Sequence, residues 1–412
     1  MSVALHTLNE PQRRAVLHDG GPLLVLAGAG SGKTRVVTMR IARLLGEGVP
    51  ARSLLAVTFT NKAAKEMRER VFDLVGKQKA RGIVISTFHS LCARILRRDA
   101  GAIGVSPNFQ ILDTSDQLAQ LSRVAKELDV HLDELQPRAV LGRIGLFKNL
   151  GYRPTDTITR GDVLSQVAAR LYGPYAKHLR DLSAVDFDDL LLLTRELFET
   201  APGVVRRYQE QFLHVMIDEY QDTNPLQVDL VRYLVGPHKN ICVVGDDDQA
   251  IYGFRGADIE NILSFDRQFA PCTVVKLEQN YRSTGAILDL ANAVIEKNPG
   301  RHGKTLFSAL GAGDRPVLMG ATDGDGEAEW VAKECATLLA QKRYTADDMA
   351  ILYRAGPQSR LFEEHLRLMG VPYRVIGGQE FFERREVKDI LAYLTLIARP
   401  HTELALRRVV NL

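Results

Sequence analysis

The chain has 412 residues, of which 45% are hydrophobic and 25% charged, an ordinary globular composition with enough length for two or three hydrophobic cores. The formal net charge of +3 is only mildly basic, so it permits a polyanionic partner without requiring one. The four cysteines are scattered with no CxxC pair, which argues against a zinc site or a disulfide framework and favours a reducing cytoplasm. The N-terminal residues lack the pattern of a signal peptide and no run of about 18 apolar residues occurs, so we expect neither export nor a membrane span.

Alternating strand and helix patterns open the chain. Residues 22 to 45 contain an apolar strand, PLLVLA, a glycine-rich turn and a helix, and residues 53 to 70 repeat the pattern. Two further apolar runs, at 212 to 220 and 240 to 249, each end in acidic residues. These patterns predict βαβ architecture, and in a parallel sheet ligands gather at the carboxyl ends of the strands.

The remaining patterns indicate how the chain is organised around this sheet. Apolar residues at three- and four-residue spacing in 113–130 and 185–199 predict an α-helical insertion between about 91 and 200. After about residue 278, strand-like and helix-like segments alternate, which indicates a second α/β domain. The expected strands there are 315–321, 348–354 and 373–378, and the expected helices are 326–340 and 359–370.

The segment AGAGSGKT follows the first predicted strand and precedes a helix, which is the context of a phosphate-binding P-loop. Its glycines let backbone N–H groups turn inward, and the helix N-terminus directs its positive dipole end towards a phosphate. Lys33 would add charge at the β- and γ-phosphates and Thr34 a hydroxyl for Mg²⁺. A glycine-rich turn that serves only packing is the alternative, but packing does not demand a Gly-Lys-Thr run. The candidate residues are Ala27, Gly28, Ala29, Gly30, Ser31, Gly32, Lys33 and Thr34.

A P-loop needs acidic partners on neighbouring strands, and two strand ends supply them. In IDEYQDT, Asp218 would reach the metal and Glu219 is the candidate for activating the attacking water. In VGDDDQ, Gln249 follows an apolar strand and its amide would contact the γ-phosphate. A solvated acidic strand end is the alternative interpretation of the first run.

Ten motif blocks follow one another in order over nearly the whole chain, and together they resemble the superfamily 1 DNA helicases of the UvrD/Rep/PcrA type, with the Rep-like branch as the nearest match. A lone P-loop would leave kinases, transporters and GTPases open, whereas ten ordered blocks do not. The blocks are LNEPQ (8–12), AGAGSGKTR (27–35), TFTNKAAKEMRER (58–70), STFHS (86–90), DFDDL (186–190), IDEYQDTN (217–224), VGDDDQAIYGFRGA (244–257), LEQNYRST (277–284), ILYRAGPQSR (351–360) and GGQEFFERREVKD (377–389).

The resemblance implies ATP with Mg²⁺ and assigns further nucleotide contacts. Gln12 would read the adenine edge, Tyr281 would stack on the adenine ring, and Arg35 is expected near the nucleotide. Arg282 would act as an arginine finger on the γ-phosphate, so that the site closes when two α/β domains meet around ATP. A surface salt bridge is the alternative role for Arg282.

Movement on single-stranded nucleic acid calls for aromatic side chains that stack on bases and for phosphate contacts. The resemblance implies that Phe59 and Phe254 flank bases, and that Arg255 links the DNA site to Glu219. Many relatives have tryptophan at position 254, so we expect weaker stacking from phenylalanine. Without the resemblance these aromatic residues would more often be core residues. The candidate DNA contacts are Thr58, Phe59, Asn61, Lys62, Thr87, His89, Tyr252, Phe254 and Arg255.

The resemblance implies an ATP-dependent 3′ to 5′ DNA helicase or single-stranded DNA translocase of replication or repair. Its expected partners are single-stranded and partly duplex DNA, with replication or repair proteins and a DNA-induced dimer as further options. The implied divisions are a RecA-like motor domain over 1–90 and 200–277, a helical insertion over 91–199, a second RecA-like domain over 278–390 and the start of another insertion over 391–412.

The family's late blocks, a TxHxAKGLE pattern and a TRA pattern, do not occur in the sequence. We therefore expect the second motor domain to be truncated. This expectation leaves two other functions open: an ATP- and DNA-binding module that unwinds poorly, and a motor chain of a nuclease–helicase complex.

Overall fold

The computed structural model describes residues 5–132, 135–158, 161–376, 385–398 and 403–410. The chain divides into two compact units, Met1–Arg315 and Pro316–Leu412. The strands of the described residues are β1 Leu23–Ala27, β2 Leu54–Thr58, β3 Val84–Thr87, β4 Gln110–Ile111, β5 Ala184–Val185, β6 His214–Ile217, β7 Ile241–Gly245, β8 Thr273–Leu277, β9 Gln279–Asn280 and β10 Phe307–Ser308.

A six-stranded sheet with the order β3-β2-β6-β7-β1-β8 lies at the centre of the first unit. Every neighbouring pair in this sheet is parallel. The register places Leu24 between Val243 of β7 and Val274 of β8. Because the strands are parallel, their carboxyl ends meet at one edge of the sheet, and the loops at that edge are the ones that carry the candidate site.

Helices cover both faces of the sheet, and two hydrophobic clusters lie between them and the strands. The helices are α1 Glu10–Leu17, α2 Lys33–Gly46, α3 Asn61–Val75, α4 Phe88–Asp99, α5 Thr114–Glu127, α6 Pro137–Asn149, α7 Val163–Asp181, α8 Asp189–Thr200, α9 Pro202–Gln211, α10 Pro225–Leu234, α11 Glu260–Leu263, α12 Phe265–Gln268, α13 Gly285–Ile295, α14 Gly324–Ala340, α15 Ser359–Leu368, α16 Arg385–Ala398 and α17 Glu403–Val410. Successive side chains of β1 point to opposite faces, so Leu24 and Leu26 join the cluster beneath α4, α8 and α10, while Val25 joins the cluster beneath α1, α2 and α3.

The structure confirms the predicted α/β fold with its P-loop sheet. The four strands expected from the apolar runs are β1, β2, β6 and β7, and the helices expected at 113–130 and 185–199 are α5 and α8. The prediction missed two strands of the central sheet, β3 and β8, which flank the others as its edges.

The second unit contains the two expected helices, α14 and α15, which pack together through Ala332, Leu366 and Val371. The strands expected at 315–321 and 348–354 are wrong, because neither segment is a strand, and 373–376 is not a strand either. A strand needs a neighbour for its backbone N–H and C=O groups, and these segments pair with no other described segment.

The apolar side chains in those segments are correspondingly open to solvent, with Leu318 98% and Leu352 89% exposed. Residues 377–378 and most of the GGQEFFERREVKD block lie outside the described residues. No helix in the described ranges combines the length and the apolar character needed to cross a membrane.

Candidate nucleotide and nucleic-acid site

The P-loop joins β1 to α2 at the carboxyl edge of the sheet. Gly30 and Gly32 have positive φ angles of 66° and 90°, a region that side chains with a Cβ rarely adopt. A Cβ on Gly32 would also lie 2.9 Å from Gln12 Nε2. Ser31 Oγ donates to Gly28 O at 2.7 Å and closes the turn, so α2 begins at Lys33 with its N-terminus at the loop.

Gln12 supports the P-loop through its side-chain amide. It is fully buried, its Nε2 donates to Ser31 O at 2.9 Å, and its Oε1 accepts from the Asn9 N–H at 3.2 Å. Both ends of the amide are therefore engaged within the protein. The structure places Gln12 beside the loop, and its contact with adenine stays a prediction.

The residues after β8 hold the P-loop from the other side. Asn280 Nδ2 donates to Ala29 O at 2.6 Å, and the Tyr281 N–H donates to Gly30 O at 2.9 Å. A Cβ on Gly30 would lie only 2.8 Å from Arg282 Cβ, so Arg282 is beside the loop, and its role as an arginine finger stays a prediction.

Three predicted nucleotide contacts lie at the rim of the loop. Tyr281 is 45% exposed, and its hydroxyl accepts from Asn9 Nδ2 at 2.9 Å. Arg282 is exposed and Arg35 is exposed as well, with its guanidinium donating to Thr7 Oγ1 at 2.7 Å. The contacts of Tyr281 with adenine, of Arg282 with the γ-phosphate and of Arg35 with the nucleotide stay predictions.

Lys33 and Thr34 face acidic side chains at the neighbouring strand ends. Lys33 Nζ lies 3.6 Å from Glu219 Oε2 and 3.9 Å from Asp246 Oδ2, and Thr34 Oγ1 donates to Asp218 Oδ2 at 3.2 Å. Burial, together with the charge of Glu219, raises the pKa of Asp218 to about 6, while Lys33 acts in the opposite direction. A hydroxyl and a carboxylate at this distance provide the hard oxygen ligands that Mg²⁺ prefers.

Glu219 adopts an unusual backbone conformation directly after β6. Its φ of 54° lies in the left-handed region, which costs on the order of 1–3 kcal/mol for a residue with a Cβ and concentrates at functional sites. Gln221 Nε2 donates to Glu219 Oε2 at 3.0 Å, while Gln221 Oε1 accepts from the Asp246 N–H at 2.9 Å. Gln221 thus joins the two strand ends, a role that the sequence did not reveal.

Gln249 lies in a short 3₁₀ turn, Asp247–Gln249, that follows β7. Its Nε2 donates to Asp246 Oδ2 at 2.5 Å, so Gln249 and Lys33 share one carboxylate. The structure therefore brings together all the acidic, amide and P-loop residues that the sequence predicted for hydrolysis. Asp246 was missed, although it is the first acidic residue after an apolar strand.

An aromatic cavity of about 410 Å³ lies next to this cluster. Phe59 and Tyr252 line it, with ring centroids 4.8 Å apart, and the ring of Phe254, which is not a lining residue, has its centroid 6.0 Å from that of Tyr252. Phe254 is 77% exposed and Phe59 is half-buried, so neither is a core residue. The lining residues are Thr58, Phe59, Thr60, Ala63, Glu219, Gln221, Asp222, Asp248, Gln249, Ile251 and Tyr252.

Arg255 lies over the aromatic residues instead of pairing with Glu219. Its guanidinium carbon is 5.7 Å from the Tyr252 ring centroid and 5.6 Å from that of Phe254. Within the described residues the ion-pair partner of Glu219 is Lys33, so the expected Arg255–Glu219 link is not formed in this structure.

Thr58, at the floor of the cavity, is 1% exposed, and its hydroxyl oxygen has no hydrogen-bond partner among the described residues. Such a buried polar atom is costly unless something satisfies it. The expected contact with a nucleic-acid backbone would supply that partner.

The predicted backbone contacts at the start of α4 form a second patch. Thr87 caps α4, and its Oγ1 donates to Ser90 Oγ at 2.9 Å, which in turn donates to Asn61 Oδ1 at 3.3 Å. Asn61 is exposed, as is Lys62 next to it, which lies 4.0 Å from Glu66.

His89 stacks on Phe187 with ring centroids 4.0 Å apart. Burial lowers the pKa of His89 to about 4, so its imidazole is neutral at physiological pH. Phe187, in the DFDDL block, is 52% exposed and was not predicted as a contact.

Comparison with known proteins identifies the family to which this arrangement belongs. Residues 8–270 match the UvrD/REP helicase N-terminal domain, and residues 275–412 match the UvrD-like helicase C-terminal domain. The chain belongs to the UvrD/REP helicase family.

Relatives in this helicase family include proteins named ATP-dependent DNA helicase PcrA from Staphylococcus aureus and Staphylococcus epidermidis. Each is 46% identical over 414 residues, a match that covers 100% of this chain and 56% of the relative. The chain thus spans about half the length of the curated relatives it matches. Both relatives carry the PcrA name, so the Rep-like branch stays a prediction.

The boundary between the two helicase domains differs from the boundary between the compact units. The N-terminal match ends at residue 270 and the C-terminal match begins at 275, whereas the first compact unit extends to Arg315. Residues 275–315 of this UvrD/REP helicase therefore pack with the P-loop sheet while matching the C-terminal family domain. The detailed domain limits predicted from the sequence stay predictions.

Proposed function

We propose that the protein is an ATP-dependent DNA helicase that moves along single-stranded DNA in the 3′ to 5′ direction and acts in DNA replication or repair. One observation carries this proposal. Glu219 and Gln249 line the aromatic cavity, and the same two residues contact Lys33 and its partner Asp246. Nucleic acid in the cavity would therefore contact the groups that govern hydrolysis.

The P-loop cluster fits ATP and Mg²⁺. Lys33 would contact the β- and γ-phosphates, while the adjacent oxygens of Thr34 and Asp218 would hold the ion. Bound Mg²⁺ would neutralise the charge on the phosphate oxygens. Arg282, exposed beside Gly30, would stabilise the γ-phosphate in the transition state.

Glu219 would act as the general base for the attacking water. In this structure its carboxylate lies 3.6 Å from Lys33 Nζ, so the two charges neutralise each other. A phosphate that attracts Lys33 would free Glu219 to accept a proton from water. Gln249, bound to Asp246, would present its amide to the γ-phosphate.

The exposed aromatic residues would form the surface that stacks on DNA bases. Phe59→Ala and Phe254→Ala are each expected to weaken single-strand binding by about 1 to 3 kcal/mol, the contribution of one stacked base. Fluorescence anisotropy with a labelled oligonucleotide measures the loss. The control for a general loss of stability is Phe269→Ala. Phe269 packs on Phe265 and is distant in sequence from Phe59 and Phe254. Unchanged affinity in both Phe59→Ala and Phe254→Ala would show that these rings do not stack on bases.

A strand-displacement assay tests the activity. We expect ATP-dependent unwinding of a duplex with a 3′ single-stranded tail and little unwinding of a duplex with a 5′ tail, and no unwinding by Lys33→Ala. Unwinding of only the 5′-tailed duplex would contradict the polarity. Binding of ATP and DNA without any displacement would support the narrower function of an ATP- and DNA-binding module.

The proposal includes single-stranded and partly duplex DNA as partners, a cytoplasmic location, and association with replication or repair proteins. The free state of Cys92, Cys242, Cys272 and Cys335 supports a reducing compartment. DNA-induced dimerisation would appear as a doubling of mass in sedimentation analysis when oligonucleotide is added.

A further inference from the structure

A buried lysine from the segment after α13 lies within the acidic cluster that follows β7. The Lys304 side chain is 2% exposed, and its Nζ lies 2.7 Å from Asp246 Oδ1 and 2.7 Å from Asp248 Oδ2, and also contacts Asp247. A buried charge persists only when it is paired. Lys304 is therefore the main counter-charge of the cluster.

Asp246 connects this lysine to the P-loop. Its side chain is 3% exposed, and its Oδ2 lies 3.9 Å from Lys33 Nζ and accepts from Gln249 Nε2 at 2.5 Å. The buried carboxylate of Asp246 thus contacts Lys33, Gln249 and Lys304 at the same time. Of the two cations, Lys304 is the nearer.

Nucleotide binding would change which of the two lysines neutralises Asp246. This inference rests on the function proposed above. A phosphate in the P-loop would draw Lys33 away from Asp246, and a buried carboxylate that loses its cation is strongly destabilising. Glu219, the other partner of Lys33, is 33% exposed and is hydrated more easily. Asp246 has no such access to water, so it needs a second cation.

We propose that Lys304 is a positioning residue of the ATPase site, because it neutralises Asp246 and so releases Lys33 to bind phosphate. Its contacts with Asp247 and Asp248 also fix the 3₁₀ turn that carries Gln249. The ion-pair partners of Lys304 within the described residues are these three aspartates. Lys304 therefore acts on the P-loop through Asp246.

Arg301 provides a matched control from the same segment. Its guanidinium donates two hydrogen bonds to Asp248, at 2.8 and 2.6 Å. Arg301→Met therefore removes one positive charge from the acidic cluster, together with the hydrogen bond from Arg301 to Lys304 O at 3.1 Å, and removes none of the carboxylates that Lys304 Nζ contacts. If Lys304 merely stabilised the cluster as a whole, Arg301→Met would resemble Lys304→Met in every measurement.

The test measures the binding of Mg²⁺ with a non-hydrolysable ATP analogue by titration calorimetry. Lys304→Met is expected to raise Kd at least tenfold, whereas Lys304→Arg and Arg301→Met stay within threefold of the parent chain. The double variant Asp246→Asn/Lys304→Met removes the Asp246 carboxylate together with its cation, while Asp247 keeps the hydrogen bond from the His302 N–H and Asp248 keeps those from Arg301. We therefore expect it to recover most of the lost affinity.

Two results would overturn the inference: a Lys304→Met variant that is folded by circular dichroism and binds with unchanged Kd, or a double variant that binds as weakly as Lys304→Met. If Lys304→Met does not fold, the double variant is compared with Asp246→Asn alone. Equal affinities are then expected, and weaker binding by the double variant overturns the inference. Lys33→Ala separates this inference from the proposed function: retained binding in that variant overturns the phosphate site itself, independently of Lys304.

Discussion

Lys33→Ala is expected to abolish measurable binding of ATP with Mg²⁺. The Lys33 side chain is 11% exposed and Lys33 starts α2 at the end of the P-loop, where it would supply positive charge at the predicted phosphate position. Removal of one such charge-stabilising group typically lowers turnover by about 10²–10³-fold, or about 2.7–4 kcal/mol. The variant would also leave Glu219 and Asp246 as uncompensated anions, which repel phosphate.

Titration calorimetry with the non-hydrolysable analogue measures this loss directly. The control is Lys65→Ala, which removes an exposed lysine on α3 whose nearest acidic partner is Glu69 at 4.0 Å. We expect the control to bind as the parent chain does. A Lys33→Ala variant with unchanged affinity would show that the P-loop is a packing turn.

Glu219→Gln is expected to separate binding from hydrolysis. A general base contributes about 10²–10⁴-fold to the rate, so DNA-stimulated release of phosphate should fall by that factor. Affinity for ATP should be retained or increased, because the amide no longer holds Lys33 as a salt bridge at 3.6 Å. Gln221 can still donate to the remaining amide oxygen, which keeps the local geometry.

Single-turnover phosphate release gives the rate of hydrolysis, and calorimetry on the same sample gives the affinity for ATP. Glu66→Gln, an exposed position on α3, is the matched control and should change neither. Equal losses of affinity and rate in Glu219→Gln would show that Glu219 supports the loop and does not activate water.

Much of the candidate site could be predicted because its signals are local. The P-loop requires glycine where φ is positive, as at Gly30 and Gly32, and the strand-end acids follow unmistakably apolar runs. These features place Lys33, Asp218 and Glu219 at one sheet edge as soon as the strands are assumed to be parallel.

The missed residues owe their roles to contacts between distant parts of the chain. Gln221 matters because it joins the ends of β6 and β7, and Lys304 because its segment packs on Asp246. The edge strand β3 ends in the polar residues Ser86 and Thr87, and three of the five residues of β8 are exposed, so neither strand forms a continuous apolar run.

The strands wrongly expected at 315–321 and 348–354 were also misjudged because contacts between distant segments cannot be predicted from local sequence. Their apolar residues satisfy the strand pattern, but pairing depends on a partner that composition does not reveal.

The hydrogen bond from Asn280 to the P-loop joins residues 251 positions apart in the chain. Contacts of such long range form only after the entropy of closing a large loop has been overcome, and during synthesis they must wait for the later residue to emerge. A nascent chain that contains the whole P-loop motif but ends before Asn280 therefore lacks the hydrogen bonds that hold Ala29 and Gly30. Any stabilisation of the folded state by ATP that depends on these two hydrogen bonds is therefore available only after Asn280 and Tyr281 have been synthesised.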